Sequence, residues 1–116
     1  GKVQRADLDG SNITDLVTGV RPSGVAVDAA GGKVYWTDWV AHKISRADLD
    51  GTNPEALVGS LASPFDVALD VSAGKMYWTD YGSKKIQRAS MDKSSGRPPT
   101  GARAFSGRIS MEPASS

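Results

Sequence analysis

The sequence lacks cysteine altogether, so it offers neither a disulfide framework nor a thiolate zinc site. It also lacks any run of the roughly 18–20 apolar residues that a membrane-spanning helix needs. No Ser-His-Asp or Cys-His arrangement, phosphate-binding loop or paired acid–base signature is present. His42 is the only histidine, and we interpret it as a solvated loop residue rather than a metal ligand. We therefore expect no catalytic residue, no metal and no cofactor in this chain.

The chain has little net charge, and that charge is unevenly distributed. Lysine and arginine exceed aspartate and glutamate by one over the whole sequence, 14 against 13. Residues 1–92 hold 10 basic and 12 acidic side chains, a net −2, whereas residues 93–116 hold 4 and 1, a net +3. A nucleic-acid surface needs a basic stripe on folded elements. We therefore expect no nucleic-acid partner.

An internal repeat with a period of about 42 residues organises the chain up to residue 92. The hexapeptide KVYWTD recurs as KMYWTD, and the segment PSGVAVD is answered by PFDVALD. A third element appears three times, as KVQRADLDG, KISRADLDG and KIQRASMD. In chain order the copies lie at 2–10, 22–28, 33–38, 43–51, 64–70, 75–80 and 85–92. A repeat of this length predicts a solenoid or propeller architecture.

Each repeat contains four short runs rich in Val, Ile, Tyr, Trp and Thr, bounded by turn residues such as Gly, Asp and Asn. In the central copy they lie at 24–28, 33–38, 43–48 and 55–58. No window of a dozen residues shows helical spacing of apolar residues. Four strands in about 40–45 residues predict one blade of a β-propeller. The fold class is therefore all-β, an incomplete propeller of four-stranded antiparallel blades.

The repeat boundaries predict the domain organisation. Residues 1–18 supply strands three and four of one blade, 19–58 form a complete blade, and 59–92 form a further blade without its fourth strand. Residues 93–116, rich in Ser, Pro, Gly and Arg, are expected to be disordered, with a marginal strand at 102–106 as the alternative. The N-terminus has neither an initiator Met nor a signal-peptide run, so we expect a fragment of a longer protein.

The motifs of residues 2–92 resemble the low-density lipoprotein receptor class B repeat, also called the YWTD repeat. That resemblance implies a six-bladed propeller in the extracellular part of a receptor-like or basement-membrane protein, which is itself membrane-anchored in some members. It implies a protein-binding module rather than an enzyme. The chain is too short to close such a ring alone. The last copy departs from the pattern, with Ser90 in place of Asp and Lys93 in place of the turn Gly.

The repeated residues are interpreted as structural, because a unique site seldom recurs in every blade. Large aromatic side chains in mid-strand fill the space between stacked sheets. Short polar side chains at the end of the same strand suit hydrogen bonds to the backbone of a turn. The repeated arginines are expected to pair with a carboxylate, with Asp38 and Asp80 as candidates. These residues are Tyr35, Trp36, Thr37, Asp38, Tyr77, Trp78, Thr79, Asp80, Arg46 and Arg88.

The positions that differ between repeats are the candidate binding residues. In an up-and-down meander the loops after the second and fourth strands emerge on one rim. Trp39 and Tyr81 are aromatic residues on that rim, where a partly exposed ring is a candidate anchor for a partner protein. Stacking of these rings against a neighbouring loop is the structural alternative. The candidate ligand-binding rim comprises Trp39, His42, Tyr81, Lys84, Arg21 and Ser63.

Two functional classes stay open beside the binding module. A metal-dependent lactonase or hydrolase on a six-bladed scaffold would need carboxylates at the starts of the innermost strands, where Asp66 is the one on offer. A non-functional gene fragment is the other alternative. Head-to-tail self-association, with residues 65–79 of one chain joining residues 2–18 of the next, would complete a six-bladed trimer. Asn12 opens an N-glycosylation acceptor triplet.

Overall fold

The computed structural model describes residues 1–91, which form nine β-strands and no helix. The predictions for residues 93–116, including the marginal strand at 102–106, lie outside the described residues. The strands are β1 (Lys2–Arg5), β2 (Thr14–Thr18), β3 (Pro22–Asp28), β4 (Lys33–Asp38), β5 (Lys43–Asp48), β6 (Glu55–Val58), β7 (Pro64–Asp70), β8 (Lys75–Asp80) and β9 (Lys85–Ser90). They form three antiparallel sheets: sheet A (β1–β2), sheet B (β3–β4–β5–β6) and sheet C (β7–β8–β9).

The strands follow one another as simple hairpins because each turn carries the residues that its backbone needs. In the turn between β3 and β4, Gly32 has φ +72°, and its N–H donates to the carbonyl of Ala29 at 3.2 Å. The Asp28 carboxylate accepts from the Gly31 N–H at 2.9 Å. Glycine adopts a positive φ without the steric cost that a Cβ imposes, and aspartate bonds the backbone of a turn. This turn fixes the pairing of Asp28 with Lys33.

The structure starts the first strand of sheet B at Pro22, two residues before the predicted run at 24–28. Pro22 pairs with Asp38, and the register then shifts between Pro22 and Gly24. The same shift recurs between Pro64 and Asp66 in sheet C. A bulge of this kind leaves no trace in the apolar pattern, and proline offers no N–H to a ladder.

Sheets A, B and C stack on each other through two hydrophobic clusters. The cluster between A and B contains Val3, Val34, Trp36 and Ala47, and the cluster between B and C contains Tyr35, Ile44, Val67, Met76 and Trp78. Neighbouring residues of a strand point to opposite faces, so the Tyr-Trp pair sends one ring to each side. Both rings of sheet B are buried, with 1–2% of each exposed. Sheet B therefore packs on both faces.

The Asp-Leu-Asp-Gly turns provide a matched pair for testing this stacking. Gly51 has φ +89°, and a Cβ built there would clash with the backbone carbonyl of Leu16 in sheet A. Gly10 has φ +90° in the equivalent turn, with nothing within 4 Å of its Cβ position. Gly51→Ala is expected to lower the free energy of unfolding by about 2–3 kcal/mol and Gly10→Ala by about 1 kcal/mol. Urea denaturation measures both, and equal losses would contradict the close approach of sheets A and B.

The outer face of sheet C is open in the part of the chain that the structure describes. Thr37 and Ile44 of sheet B have 0% exposure, whereas their equivalents Thr79 and Ile86 are exposed, Ile86 by 50%. Tyr77 is half-buried, although its equivalent Tyr35 is buried. The difference arises because sheet C covers sheet B, and among residues 1–91 nothing covers sheet C.

Candidate protein-binding rim

Four loops meet at one end of the three sheets, and we call this end the upper rim. They span residues 19–21, 39–42, 59–63 and 81–84. Backbone bonds join each loop to the next: Trp39 N–H donates to the Arg21 carbonyl at 3.2 Å, Leu61 N–H to His42 at 3.0 Å, and Tyr81 N–H to Ser63 at 2.9 Å. The variable loops thus form one surface, as the alternation of strand directions predicts.

An exposed aromatic cluster lies on this rim at the junction of sheets B and C. Trp39, Phe65 and Tyr81 line an open apolar cavity of about 480 Å³ together with Ser63 and Pro64. Their side chains are 49%, 58% and 81% exposed, whereas Pro64 is buried beneath them. The structure therefore brings together three of the predicted rim residues, Trp39, Tyr81 and Ser63. We call Trp39, Phe65 and Tyr81 the aromatic cluster.

Phe65 was not among the rim residues predicted from the sequence. It is the second residue of β7, the innermost strand of its blade, for which the sequence suggests only Asp66 as a metal ligand. The signal was available, because Phe65 takes the place of Ser23 in the aligned repeats. A large apolar residue that replaces a small polar one at a strand start differs between blades in the same way as the loop residues do.

The other predicted rim residues lie on the upper rim outside the cavity lining. His42 has φ +62°, and its Nδ1 is 2.9 Å from the Ala62 carbonyl oxygen, so its ring links two loops. Lys84 also has φ +62° and is exposed, and its N–H donates to the Asp80 carbonyl at 2.8 Å. Arg21 is exposed. These three residues lie on the same rim and do not line the cavity.

The carboxylates of the YWTD motif hold the loops of the upper rim in place. Asp38 accepts from the N–H groups of Val40 at 3.1 Å and Ala41 at 2.8 Å. Asp80 accepts from Ala62 at 3.1 Å, Ser63 at 2.9 Å and Ser83 at 3.1 Å. Burial alone raises the pKa of Asp80, but these backbone N–H donors outweigh it and hold the pKa below its ordinary value.

Arg46 pairs with a carboxylate, as predicted, but its partner is not the candidate Asp38. Arg46 donates to the carboxylate of Glu55 in the adjacent strand at 2.9 Å. Asp38 lies opposite Lys43, at the other end of β5 from Arg46, so the two side chains cannot meet. The Nη1 of Arg88 donates to the Tyr77 hydroxyl at 3.4 Å, as Arg46 does to Tyr35 at 3.3 Å.

The repeated arginines instead link successive repeats through backbone carbonyl groups. Arg5 of sheet A donates to the carbonyl of Leu49 in sheet B's last turn at 2.9 Å. Arg46 of sheet B donates to the carbonyl of Met91, which is the repeat equivalent of Leu49, at 3.1 Å. Hydrogen bonds from a charged donor are stronger than those between neutral groups. Arg5 and Arg46 therefore each tie one sheet to a turn of the next repeat.

Basic and acidic side chains are unevenly distributed between the two ends of the sheets. Strands β1, β3, β5, β7 and β9 run away from the upper rim, so their starting residues lie there and their last residues lie at the opposite end, the lower rim. The upper rim carries the exposed or half-buried basic residues Lys2, Arg21, Lys43, Lys84 and Lys85, with Asp66 as an exposed acidic residue. The lower rim carries the acidic residues Asp7, Asp9, Asp48, Asp50 and Asp70, together with the basic residues Arg5, Lys33 and Lys75. Hydrogen bonds from Lys33 and Asn53 lower the pKa of Asp48 to about 2, so this carboxylate stays ionised at neutral pH.

Asp66, the position considered for an enzymatic metal, is exposed near the start of β7. A Cβ on Gly24 would lie 2.8 Å from the Asp66 Cα, so glycine permits β3 and β7 to approach each other. Among residues 1–91 no three His, Cys, Asp or Glu side chains come together in a way that could hold a metal ion. The same residues include no helix long and apolar enough to cross a membrane.

The comparisons with known proteins agree with this architecture. Residues 32–71 match the family described as "Low-density lipoprotein receptor repeat class B". Low-density lipoprotein receptor-related protein 4 of Homo sapiens is 44% identical over 63 residues, which cover 51% of this chain and 3% of that protein. Low-density lipoprotein receptor-related protein 5 of Mus musculus is 45% identical over 54 residues, which cover 45% and 3%. The chain thus spans a small part of these relatives.

A solved crystal structure of a nidogen–laminin complex contains a chain with the same fold. The superposition has a TM-score of 0.74 with 32% sequence identity, and it covers 78% of this chain and 36% of that chain. The family resemblance and the all-β propeller fold predicted from the sequence are both confirmed by these matches and by the three antiparallel sheets. Residues 32–71 therefore match a low-density lipoprotein receptor class B repeat, and the described sheets have the fold of part of a YWTD-type β-propeller.

Proposed function

We propose that this chain is part of an extracellular protein-interaction module that binds a protein partner through the upper rim. The relatives are receptor-related proteins, and the solved structure with the same fold is of nidogen in complex with the protein laminin. A propeller that holds a set of variable loops on repeated sheets is suited to protein binding, since functional residues lie on loops that a rigid scaffold positions.

The observation that carries the proposal is the exposure of the aromatic cluster. Trp39, Phe65 and Tyr81 keep 49–81% of their surface in water around a cavity of about 480 Å³, although each could gain by burial. Burying a large apolar side chain is worth about 1.5–3 kcal/mol. Aromatic residues of this kind dominate the energetics of protein interfaces. A partner that inserts an apolar side chain into the cavity would therefore gain affinity from all three rings.

The charge on the upper rim indicates the chemistry of the partner. Arg21, Lys43, Lys84 and Lys85 lie on the same rim as the aromatic cluster and outnumber the exposed carboxylate of Asp66, while the buried carboxylates of Asp38 and Asp80 are bonded to loop N–H groups. Complementary charge accelerates association and excludes partners of the same sign. The partner segment is therefore an apolar residue flanked by aspartate or glutamate.

Selection of a displayed random-peptide library on the full chain tests this function. Bound peptides are expected to carry an apolar residue next to acidic residues. Their affinity should fall at least about tenfold for Trp39→Ala or Tyr81→Ala, because removal of an interface anchor costs more than about 1.4 kcal/mol. Val40→Ala is the matched control, since Val40 is 50% exposed on the same loop but does not line the cavity.

Two outcomes would overturn the proposal. Peptides that bind the Trp39→Ala and Tyr81→Ala chains as well as the unchanged chain would place the binding surface elsewhere. Enriched peptides that are basic would contradict the role of the upper-rim charges. Circular dichroism of each variant confirms that the β-structure is retained.

The head-to-tail self-association stays a prediction, and it depends on the outer faces of sheets A and C. The outer face of sheet C offers Tyr77, Thr79 and Ile86, whereas sheet A presents Lys2, Gln4 and Asp15 outward, bonded to one another at 2.7–3.1 Å. Direct stacking of these unlike faces is poor, so the predicted assembly depends on new strand pairing between β8 of one chain and β1 of the next, with β9 displaced. Sedimentation velocity at micromolar concentration should then show a trimer, and a monomer would exclude this assembly.

A further inference from the structure

The turn between β1 and β2 carries the acceptor triplet Asn12-Ile13-Thr14 on the lower rim, away from the aromatic cluster. All three residues are exposed. We propose that Asn12 is an N-glycosylation site, modified when the chain enters the secretory pathway. The donor is a lipid-diphosphate-linked oligosaccharide, the class of substrate that this triplet accepts.

The local geometry presents the triplet to an enzyme. Asn12 has φ +56°, a left-handed conformation that asparagine tolerates better than most residues. Its Nδ2 donates to the Asp7 carboxylate at 2.7 Å, and the Thr14 hydroxyl donates to the Asn12 carbonyl at 3.4 Å. The amide and the hydroxyl of the triplet therefore lie on one exposed turn, held by contacts within that turn.

The modification is compatible with the folded turn. A bond forms between Nδ2 of Asn12 and the anomeric carbon of the first sugar, and the bond from that carbon to the diphosphate oxygen breaks. The lipid diphosphate departs with the bonding electrons, and one Nδ2 proton is released. The nitrogen keeps its second proton, which can still donate to Asp7. The glycosylated side chain can thus retain the hydrogen bond that holds it in the turn.

The next blade contains a natural control for this site. Asn53 has φ +54°, is exposed, and donates from Nδ2 to Asp48 at 2.9 Å, so its turn reproduces the geometry of Asn12. It is followed by Pro54 and Glu55, which exclude the acceptor pattern. A transferase that reads the triplet therefore modifies Asn12 and leaves Asn53 free.

The position of the site separates the glycan from the proposed binding surface. The turn of Asn12 follows β1, which starts at the upper rim and ends at the lower rim. A glycan on the lower rim leaves the aromatic cluster accessible to a partner. The proposal does not depend on protein binding, because glycosylation is detected as a covalent change of the chain and not through a bound partner.

The test is expression of the full chain behind a cleavable signal peptide in mammalian cells. Only chains that are protected from external protease are analysed, because protection shows that a chain has been translocated. The expected result is a mobility shift that peptide N-glycosidase removes, with conversion of Asn12 to aspartate seen by mass spectrometry. Asn12→Gln and Thr14→Ala should each abolish the shift, whereas Thr14→Ser should retain it.

Mass spectrometry of the same sample also determines the modification state of Asn53, the internal control. Asn53 should be unmodified. Translocated chains with an unmodified Asn12 would overturn the proposal. A shift that persists in Thr14→Ala would also overturn it, because the sugar would then lie elsewhere.

Discussion

Replacing Ile44 by alanine is expected to lower the free energy of unfolding by about 2–5 kcal/mol, the usual cost of truncating a fully buried isoleucine. Ile44 has 0% exposure in the cluster between sheets B and C, with Tyr35, Met76 and Trp78. The loss combines the transfer of apolar surface with the cavity that remains when the surrounding side chains relax only in part. Urea denaturation followed by circular dichroism measures the change.

Ile86→Ala is the matched control for this substitution. Ile86 occupies the same position in the next repeat and pairs with Thr79 as Ile44 pairs with Thr37, but half of its side chain is exposed. Its truncation is expected to cost about 1 kcal/mol or less. Equal losses at the two positions would mean that the outer face of sheet C is covered as well as sheet B is, which would contradict the stacking described above.

Replacing Asp80 by alanine is expected to cost about 3 kcal/mol, because several buried N–H groups lose their acceptor together. Asp80 is 3% exposed and accepts from Ala62, Ser63 and Ser83. These donors belong to both loops that frame Tyr81, so the variant should also bind the selected peptides more weakly. Asp80→Asn keeps one oxygen acceptor and should lose less than half as much stability. A loss equal to that of alanine would show that charge, rather than hydrogen bonding, holds the loops.

The same carboxylate predicts how stability depends on pH. The pKa of folded Asp80 is lowered, so its contribution is present above the unfolded pKa of about 3.9 and is lost as the pH falls through the folded value. Asp48, with a folded pKa of about 2, acts in the same direction. Stability should therefore decrease from about pH 5 downwards. Asp80→Asn should show a shallower decrease, and an unchanged slope would contradict the assignment.

Much of the fold could be predicted because the sequence repeats the same strand and turn motifs in successive blades. The strand of the KVYWTD motif, its glycine turns and its alternating faces recur at a fixed offset, and the structure places them accordingly. The bulge after Pro22 could not be predicted, since a register shift of this kind leaves the apolar pattern unchanged. In a sequence, a proline at the start of a strand is interpreted as the boundary of that strand rather than as one of its residues.

The site was predicted less completely, for reasons of register and tertiary contact. A four-residue loop after Asp38 places Tyr35 opposite Arg46, so the error in the arginine pairing could have been avoided by counting along the hairpin. The hydrogen bonds of Arg5 to Leu49 and Arg46 to Met91 join different blades, and no local pattern encodes them. The aromatic cluster could not be predicted from the sequence, because Phe65 and Trp39 come from different sheets.

The nuclear Overhauser effects of the two adjacent rings in β4 test most directly that the repeats stack as propeller blades. The ring of Tyr35 should show contacts to side chains of sheet C, such as Val67 and Met76. The Trp36 indole should show contacts to sheet A, at Val3 and Val17. Contacts of both rings to the same sheet, or of neither ring to any distant residue, would contradict the architecture on which the proposed binding rim depends.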